Sequence, residues 1–221
     1  MWNSTTWQML LEGTCATLYM TLTSTAMAYV IGLPVGIALV VTAKDGLKPN
    51  KIIYKIIDMI VNITRSIPFL ILLILVIPIT RAIVGKSYGS TATIVPLTLA
   101  AAPFIARLVE SSLLEVDKGV VEAAQSMGAS NFHIITKVML GEAKTSLIVG
   151  GTIALATILG YSAMAGAVGG GGLGDIAIRY GYNRYQLDIL TVTVILLVIL
   201  VQILQRAGTR IAKKTDRRNN D

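Results

Sequence analysis

The sequence is 221 residues long, 54% hydrophobic and only 14% charged, with positive mean hydropathy. Soluble domains are nearer a quarter charged, so an ordinary soluble fold is excluded and a polytopic membrane protein is expected. The formal charge of +7 does not point to nucleic acid, because the basic residues flank apolar runs and no basic patch interleaves with exposed aromatics.

Residues 1–13 have no basic region and no small-residue cleavage site before the first apolar run, so no cleaved signal peptide is expected. Cys15 is the sole cysteine and His133 the sole histidine, which makes a disulfide or zinc site implausible. Gly13 to Ala43 is uncharged and long enough for one span. Within it Gly32, Pro34 and Gly36 offer either a face for close helix packing or a hinge. A short basic connection follows, with Lys44, Lys48, Lys51 and Lys55.

A second span is predicted between about Lys55 and Arg81, with Asp58, Asn62 and Arg65 along its first part. One helix from Ile52 to Thr80 would be ~43 Å long, against a hydrocarbon core of ~30 Å. Two readings of Arg65 stay open: it snorkels at the interface, or it faces a water-filled passage. Ser87 to Ala106 gives a third uncharged run, interrupted by Pro96 and Pro103. Arg107 and Glu110 then form an i, i+3 pair that can partly neutralise itself.

The stretch from Gly119 to Gly141 does not fit in a membrane, since it carries Glu122, Gln125, Ser126, Ser130, Asn131, His133 and Lys137. Val120, Ala123, Ala124 and Met127 make the stripe of a short helix. Gly128 is predicted to stop it in the left-handed conformation, and Ser130 to cap the next helix. The pair Ala123 and Ala124 keeps one face thin, and a thin-faced helix can enter a cleft in another protein. From spacing alone it could equally lie on the bilayer surface.

Thr145 to Gly174 is uncharged again. Leu147 to Leu159 reads as helix, whereas Gly166 to Gly174 holds six glycines in nine residues and is expected to be an irregular loop. Gly169, Gly171 and Gly174 spell a dinucleotide fingerprint by accident, since no strand precedes them and no P-loop lysine follows. The chain is thus expected to bind no nucleotide of its own. Tyr180, Tyr182 and Tyr185 suit an interfacial belt, and a last span runs from about Leu187 to Gln205 before a basic tail at 207–221.

These runs predict an all-α fold with five transmembrane helices. Lys and Arg number thirteen on the side holding the Lys44–Lys55 loop, the central loop and the tail, against four on the other. The bias places the N-terminus outside and the C-terminus in the cytoplasm. A single transmembrane domain over 1–221 is expected, with its core at about 13–206 and a cytoplasmic loop at about 115–144.

Glu122-Ala123-Ala124 followed by Gly128 resembles the EAA loop of ABC-importer membrane subunits, with Gly141 standing where that family usually has proline. Ile31–Gly36, Arg65–Phe69, Ala102–Arg107, Gly160–Gly174 and Asp175–Tyr182 extend the likeness over nearly the whole chain. They resemble the permease subunit of methionine ABC importers. The resemblance implies a homodimer in the cytoplasmic (inner) membrane, surrounded by lipid. Its implied partners are two ATPase subunits, which carry the ATP with its magnesium ion, and a methionine-binding lipoprotein that delivers methionine. It implies that Glu122, Ala123, Ala124, Gly128 and Ala129 dock the ATPase. Tyr161, Ser162 and Met164 are candidates for a gate, with dimer-interface packing as the plainer role. Gly169, Gly170, Gly171, Gly172 and Gly174 are candidates for the surface met by the delivering protein.

A permease for another small polar solute shares most of these features. A secondary transporter would need inverted repeats and paired midplane charges, and neither is visible. A membrane enzyme would need paired carboxylates, a metal cluster or a nucleophile with its base, and the sequence offers none.

Overall fold

The computed structural model describes residues 3–215, and among these every regular element is helical. Residues 216–221 of the basic tail, with Arg217 and Arg218, lie outside the described residues. Helix α1 spans Ser4–Thr42. It begins earlier than the apolar run because Asn3 caps it, its side-chain oxygen accepting from the Thr6 amide at 2.9 Å. Pro34 sits inside α1 without ending it.

The predicted second span is not one helix. It is divided into α2 (Lys51–Ser66), α3 (Phe69–Leu75) and α4 (Ile77–Val84). The chain bends by 103° between α2 and α3. Pro68 explains this break, since it lacks an amide hydrogen and disfavours helix at Ile67. Pro78 near the start of α4 accompanies the second break at Val76. Helix α5 (Ser90–Leu114) runs unbroken through Pro96 and Pro103. Among the described residues four helical runs are long and apolar enough to cross a membrane, or five if α2 and α3 together count as one.

The central loop is helical almost throughout. Helix α6 (Lys118–Ser126) is capped by Asp117, whose carboxylate accepts from the Gly119 amide at 2.7 Å. Gly128 ends it with φ of 76°. Ser130 caps α7 (Asn131–His133) by accepting from the His133 amide at 3.3 Å. A π-helical turn at Ile134–Met139 follows, then α8 (Leu140–Glu142) and α9 (Lys144–Ala165). Gly141 therefore does not break the helix; the interruption falls at Ala143. After α9 come a 3-10 turn (Gly166–Val168), α10 (Gly172–Ile176), a second π-helical turn (Ala177–Tyr182) and α11 (Leu187–Thr215).

Contacts divide the chain into two compact units. The first comprises 1–28, 67–101 and 154–205. Its core gathers Leu10, Leu159, Leu173, Ile176, Ile189 and Leu200. The second comprises 29–66, 102–153 and 206–221, with Leu39, Val61, Ile105, Val109, Leu113 and Ile134 buried in it.

Within the second unit, Gly32 lies against Ala102 and Ile105 of α5, and Gly36 against Ala106 and Val109. Both contacts advance by four residues, so α1 and α5 run in the same direction. Helix α9 runs the other way. Gly150 meets Leu108, and Ser146 donates to Ser112 at 2.9 Å. The glycines are needed for contact, because a Cβ on Gly36 would stand 2.6 Å from the Ala106 carbonyl oxygen and 2.8 Å from Val109 Cγ1. Gly36→Leu should therefore destabilise the protein by about 1–3 kcal/mol. A thermal melt in detergent that matches the unsubstituted protein would contradict this seam.

Candidate functional site

Helix α6 is amphipathic, and the structure assigns its two alanines to opposite duties. Ala124 is only 5% exposed and packs inward, whereas Glu122 and Ala123 are exposed. Around Ala123 the outer surface continues with Val120, Met127 and Phe132, the last two 80% and 77% exposed. The expected docking set is thus split, with Ala124 facing its own chain. Gly128 is exposed and Ala129 half-buried, and the Ala129 amide donates to the Ala124 carbonyl at 3.1 Å. Two large apolar side chains beside two small ones form a knob with a thin flank, the shape that a cleft in another protein can receive.

In the first unit, Tyr161 stacks face to face on Phe69, with ring centroids 4.6 Å apart and planes within 5°. Ser162 is buried and donates to the Leu159 carbonyl at 2.7 Å, so its hydroxyl is satisfied within α9. Met164 is 50% exposed. Phe69 is a partner that the sequence did not single out. Its place directly after the Pro68 break was the one available signal.

The glycine-rich stretch is mostly spent on the chain's own packing. Gly170, Gly172 and Gly174 are buried, while Gly169 and Gly171 are half-buried. Thr17 of α1 accepts from the Leu173 amide at 2.9 Å, and Thr93 of α5 donates to the Gly170 carbonyl at 3.1 Å. The Gly89 amide donates to the Gly169 carbonyl at 2.9 Å. A Cβ on Gly172 would stand 2.6 Å from Thr17 Oγ1. The segment is not wholly irregular, because Gly172 to Ile176 closes into a turn of helix once these contacts hold it.

A polar cluster in the second unit joins residues that the sequence lists far apart. The Arg107 guanidinium donates to Glu110 at 2.6 Å, to Asn62 at 2.8 Å and to Asp58 of α2. Asn62 in turn donates to Asp58 at 3.2 Å. The predicted Arg107–Glu110 pair is present, but two carboxylates share the one guanidinium. Among the described residues no group of three His, Cys, Asp or Glu side chains is placed to hold a metal ion.

The chain was compared with known proteins. The family model described as "Binding-protein-dependent transport system inner membrane component" matches residues 28–216. The Vibrio cholerae protein named "Probable D-methionine transport system permease protein MetI" is 50% identical over 98% of this chain and 96% of its own length. The D-methionine transport system permease protein MetI of Escherichia coli K12 is 51% identical over 72% of this chain and 73% of its own. A solved structure of the MetNI methionine ABC transporter, inward facing, superposes with TM-score 0.96 at 49% identity, covering 98% of this chain and 100% of that one. An amino-acid ABC transporter chain at 18% identity superposes with TM-score 0.73 and shares the fold.

Removing Arg107 leaves two carboxylates without their donor. Arg107→Ala should cost about 2 kcal/mol, less than the ~3–5 of a fully buried pair, because the Asp58 side chain is 32% exposed. Asp58→Asn, which keeps a hydrogen-bonding group, should cost less. Chemical unfolding of the two variants in detergent measures the order, and a reversed order would show that the cluster does not anchor α2.

Proposed function

The chain belongs to the binding-protein-dependent transport system inner membrane component family, and within it to the permease subunits of methionine ABC importers; from that premise we propose how it carries out methionine import. It forms a homodimeric passage in the inner membrane. Each copy receives one ATPase subunit at the outer surface of α6, and a methionine-binding lipoprotein delivers the substrate at the opposite face. The observation that carries this reading is the likeness to methionine-importer permeases over nearly the whole chain.

Helix direction supports a count of five crossings. Parallel neighbours α1 and α5 favour one crossing between them, and on this reading α2 to α4 together make it as a single bent span. Antiparallel α9 then returns through the loop at 115–144, and α11 makes the fifth crossing. The excess of Lys and Arg supports an outer N-terminus and a cytoplasmic loop and C-terminus. On this reading the chain is one transmembrane domain whose two units are joined by continuous helices.

Docking is assigned to the exposed side of α6, that is Glu122, Ala123 and the end at Gly128, with Ala124 and Ala129 supporting it from within. The Tyr161–Met164 segment is the gate candidate, with the Phe69 ring as the surface Tyr161 rests on. The ATP and its magnesium ion belong to the ATPase partner. Gly169 and Gly171, the half-buried members of the glycine-rich stretch, are the part left for contact with the delivering protein.

Ala123→Trp should abolish co-purification of the ATPase while leaving the permease folded, since Ala123 is exposed. Ala124→Trp should instead lower the yield of folded protein by overpacking. Import is tested with the complex in proteoliposomes, where methionine uptake should require ATP. Uptake by the permease alone, or intact ATPase binding by Ala123→Trp, contradicts the proposal.

A further inference from the structure

Helix α11 carries one stripe whose chemistry changes partway along. Ile195, Ile199, Ile203, Arg206, Arg210 and Lys213 follow one another at steps of three or four residues, so they share a face of one unbroken helix. All six are exposed. The other side of the helix faces its own chain: Ala212 is buried, and a Cβ on Gly208 would collide with the Thr152 side chain of α9. Among the described residues no carboxylate pairs with Arg206, Arg210 or Lys213. Lys214, at the edge of the stripe, differs, because it borders a hollow lined by Glu115, Asp117 and Glu142.

The stripe turns from apolar to cationic where a membrane would end. The uncharged run 189–205 is about 26 Å long, close to a hydrocarbon core of ~30 Å. Arg206, the first charge beyond it, therefore stands at the edge of the core. Arg210 and Lys213 follow about 6 and 10 Å further along, and their flexible stems let the charges lean back toward the headgroups. The positive-inside bias accounts for cations at this end of the helix but not for their alignment beneath the exposed isoleucines. A second copy is a poor occupant of this face. A twofold contact along the stripe would set each cation against its own counterpart.

We propose that Arg206, Arg210 and Lys213 form a binding site for anionic phospholipid headgroups at the C-terminal exit of α11. A guanidinium fork matches phosphate oxygens with two parallel hydrogen bonds, and the lysine adds a point charge. Clustered cations just beyond a membrane-crossing helix attract anionic lipid in this way. Ile195, Ile199 and Ile203 meet the acyl chains of the same lipid, so one molecule is held along its whole length. A zwitterionic lipid brings its own ammonium to the site, whereas an anionic one leaves its phosphate charge to the protein. The bound lipid fixes the end of α11 and, through Gly208 against Thr152, the side of α9 on which it rests. The inference needs only that α11 crosses the membrane and is independent of the solute carried.

The test places a fluorophore on the full-length chain at a single thiol, made by Cys15→Ser and Ile199→Cys. The protein is reconstituted in vesicles of phosphatidylcholine and phosphatidylglycerol in varied proportion, with each lipid in turn brominated on its acyl chains. Quenching reports which lipid lies against the stripe. With the cations intact, phosphatidylglycerol should quench beyond its share of the bilayer. R210Q should lower that preference by about fivefold, R206Q/R210Q/K213Q should abolish it, and R206K/R210K should keep most of it. Equal quenching by the two lipids with the cations intact overturns the proposal. A preference that survives the triple substitution also overturns it, and loss of a co-purifying ATPase from that variant would then assign the stripe to a protein partner. Shielding of the fluorophore from both lipids overturns it in favour of a second copy on this face. If the triple variant melts earlier than wild type in neutral detergent without lipid, the charges serve the helix end itself and the proposal fails.

Discussion

Two helices that lie side by side and point the same way oblige the chain to come back between them. That is the position of α1 and α5, whose backbones meet at Gly32 and Gly36 against Ala102 and Ala106. The absence of side chains at the two glycines lets the carbonyls of α5 come close, and close approach is how helices gain packing energy where lipid tails are as apolar as leucine. A third helix cannot enter such a seam. The returning segment must therefore run around it, and within the same unit α2 is left on the periphery of the pair.

This peripheral position changes what holds α2. It has a single buried side chain, Val61. In water, an apolar face as large as Ile52 to Ile63 would drive docking, but in lipid it is already satisfied. Attachment falls instead to the charges. Arg107 binds Asp58, Asn62 and Glu110 at once, and in a medium of low dielectric constant such contacts are not replaced cheaply by water. The shared guanidinium makes the joint asymmetric: Glu110 lies on α5 with Arg107 itself, so only Asp58 and Asn62 tie α2 to it, and their release would leave the guanidinium still paired.

Local rules were enough to read the ends of α6 and α7. A glycine after a short apolar stripe and a serine two residues on are read from nearest neighbours, and Gly128 and Ser130 do in the structure what those neighbours dictate. The break at Pro68 was equally local, yet the uncharged run from Ser66 hid it, because length and hydropathy do not register a bend. Three features depend on residues distant in sequence and had no local trace. Arg107 reaches Asp58 across 49 positions. Leu173 reaches Thr17 across 156. The third is the choice between Ala123 and Ala124, since a stripe of small residues wide enough for two faces does not say which one its own chain will cover. Glycine content announced a loop at 166–174, but the loop's order comes from Thr17 and Thr93, which composition does not reveal.

The opposite orientations of those two alanines separate what α6 presents outward from what it rests on. Helix α6 rests on the π-helical turn at Ile134–Met139, and Ala124, Ile134 and Met139 are all buried. A π turn spans five residues per hydrogen bond where an α-helix spans four, and such turns are frequent at functional sites. Beyond it come α8, the interruption at Ala143, and then α9. Helix α6 is therefore seated on the segment that leads into α9. On the proposed reading the two alanines are small for different reasons, Ala123 to admit a partner and Ala124 because it is buried within its own chain. A larger side chain at Ala124 would push α6 off its own chain, whereas one at Ala123 would change only the outer surface.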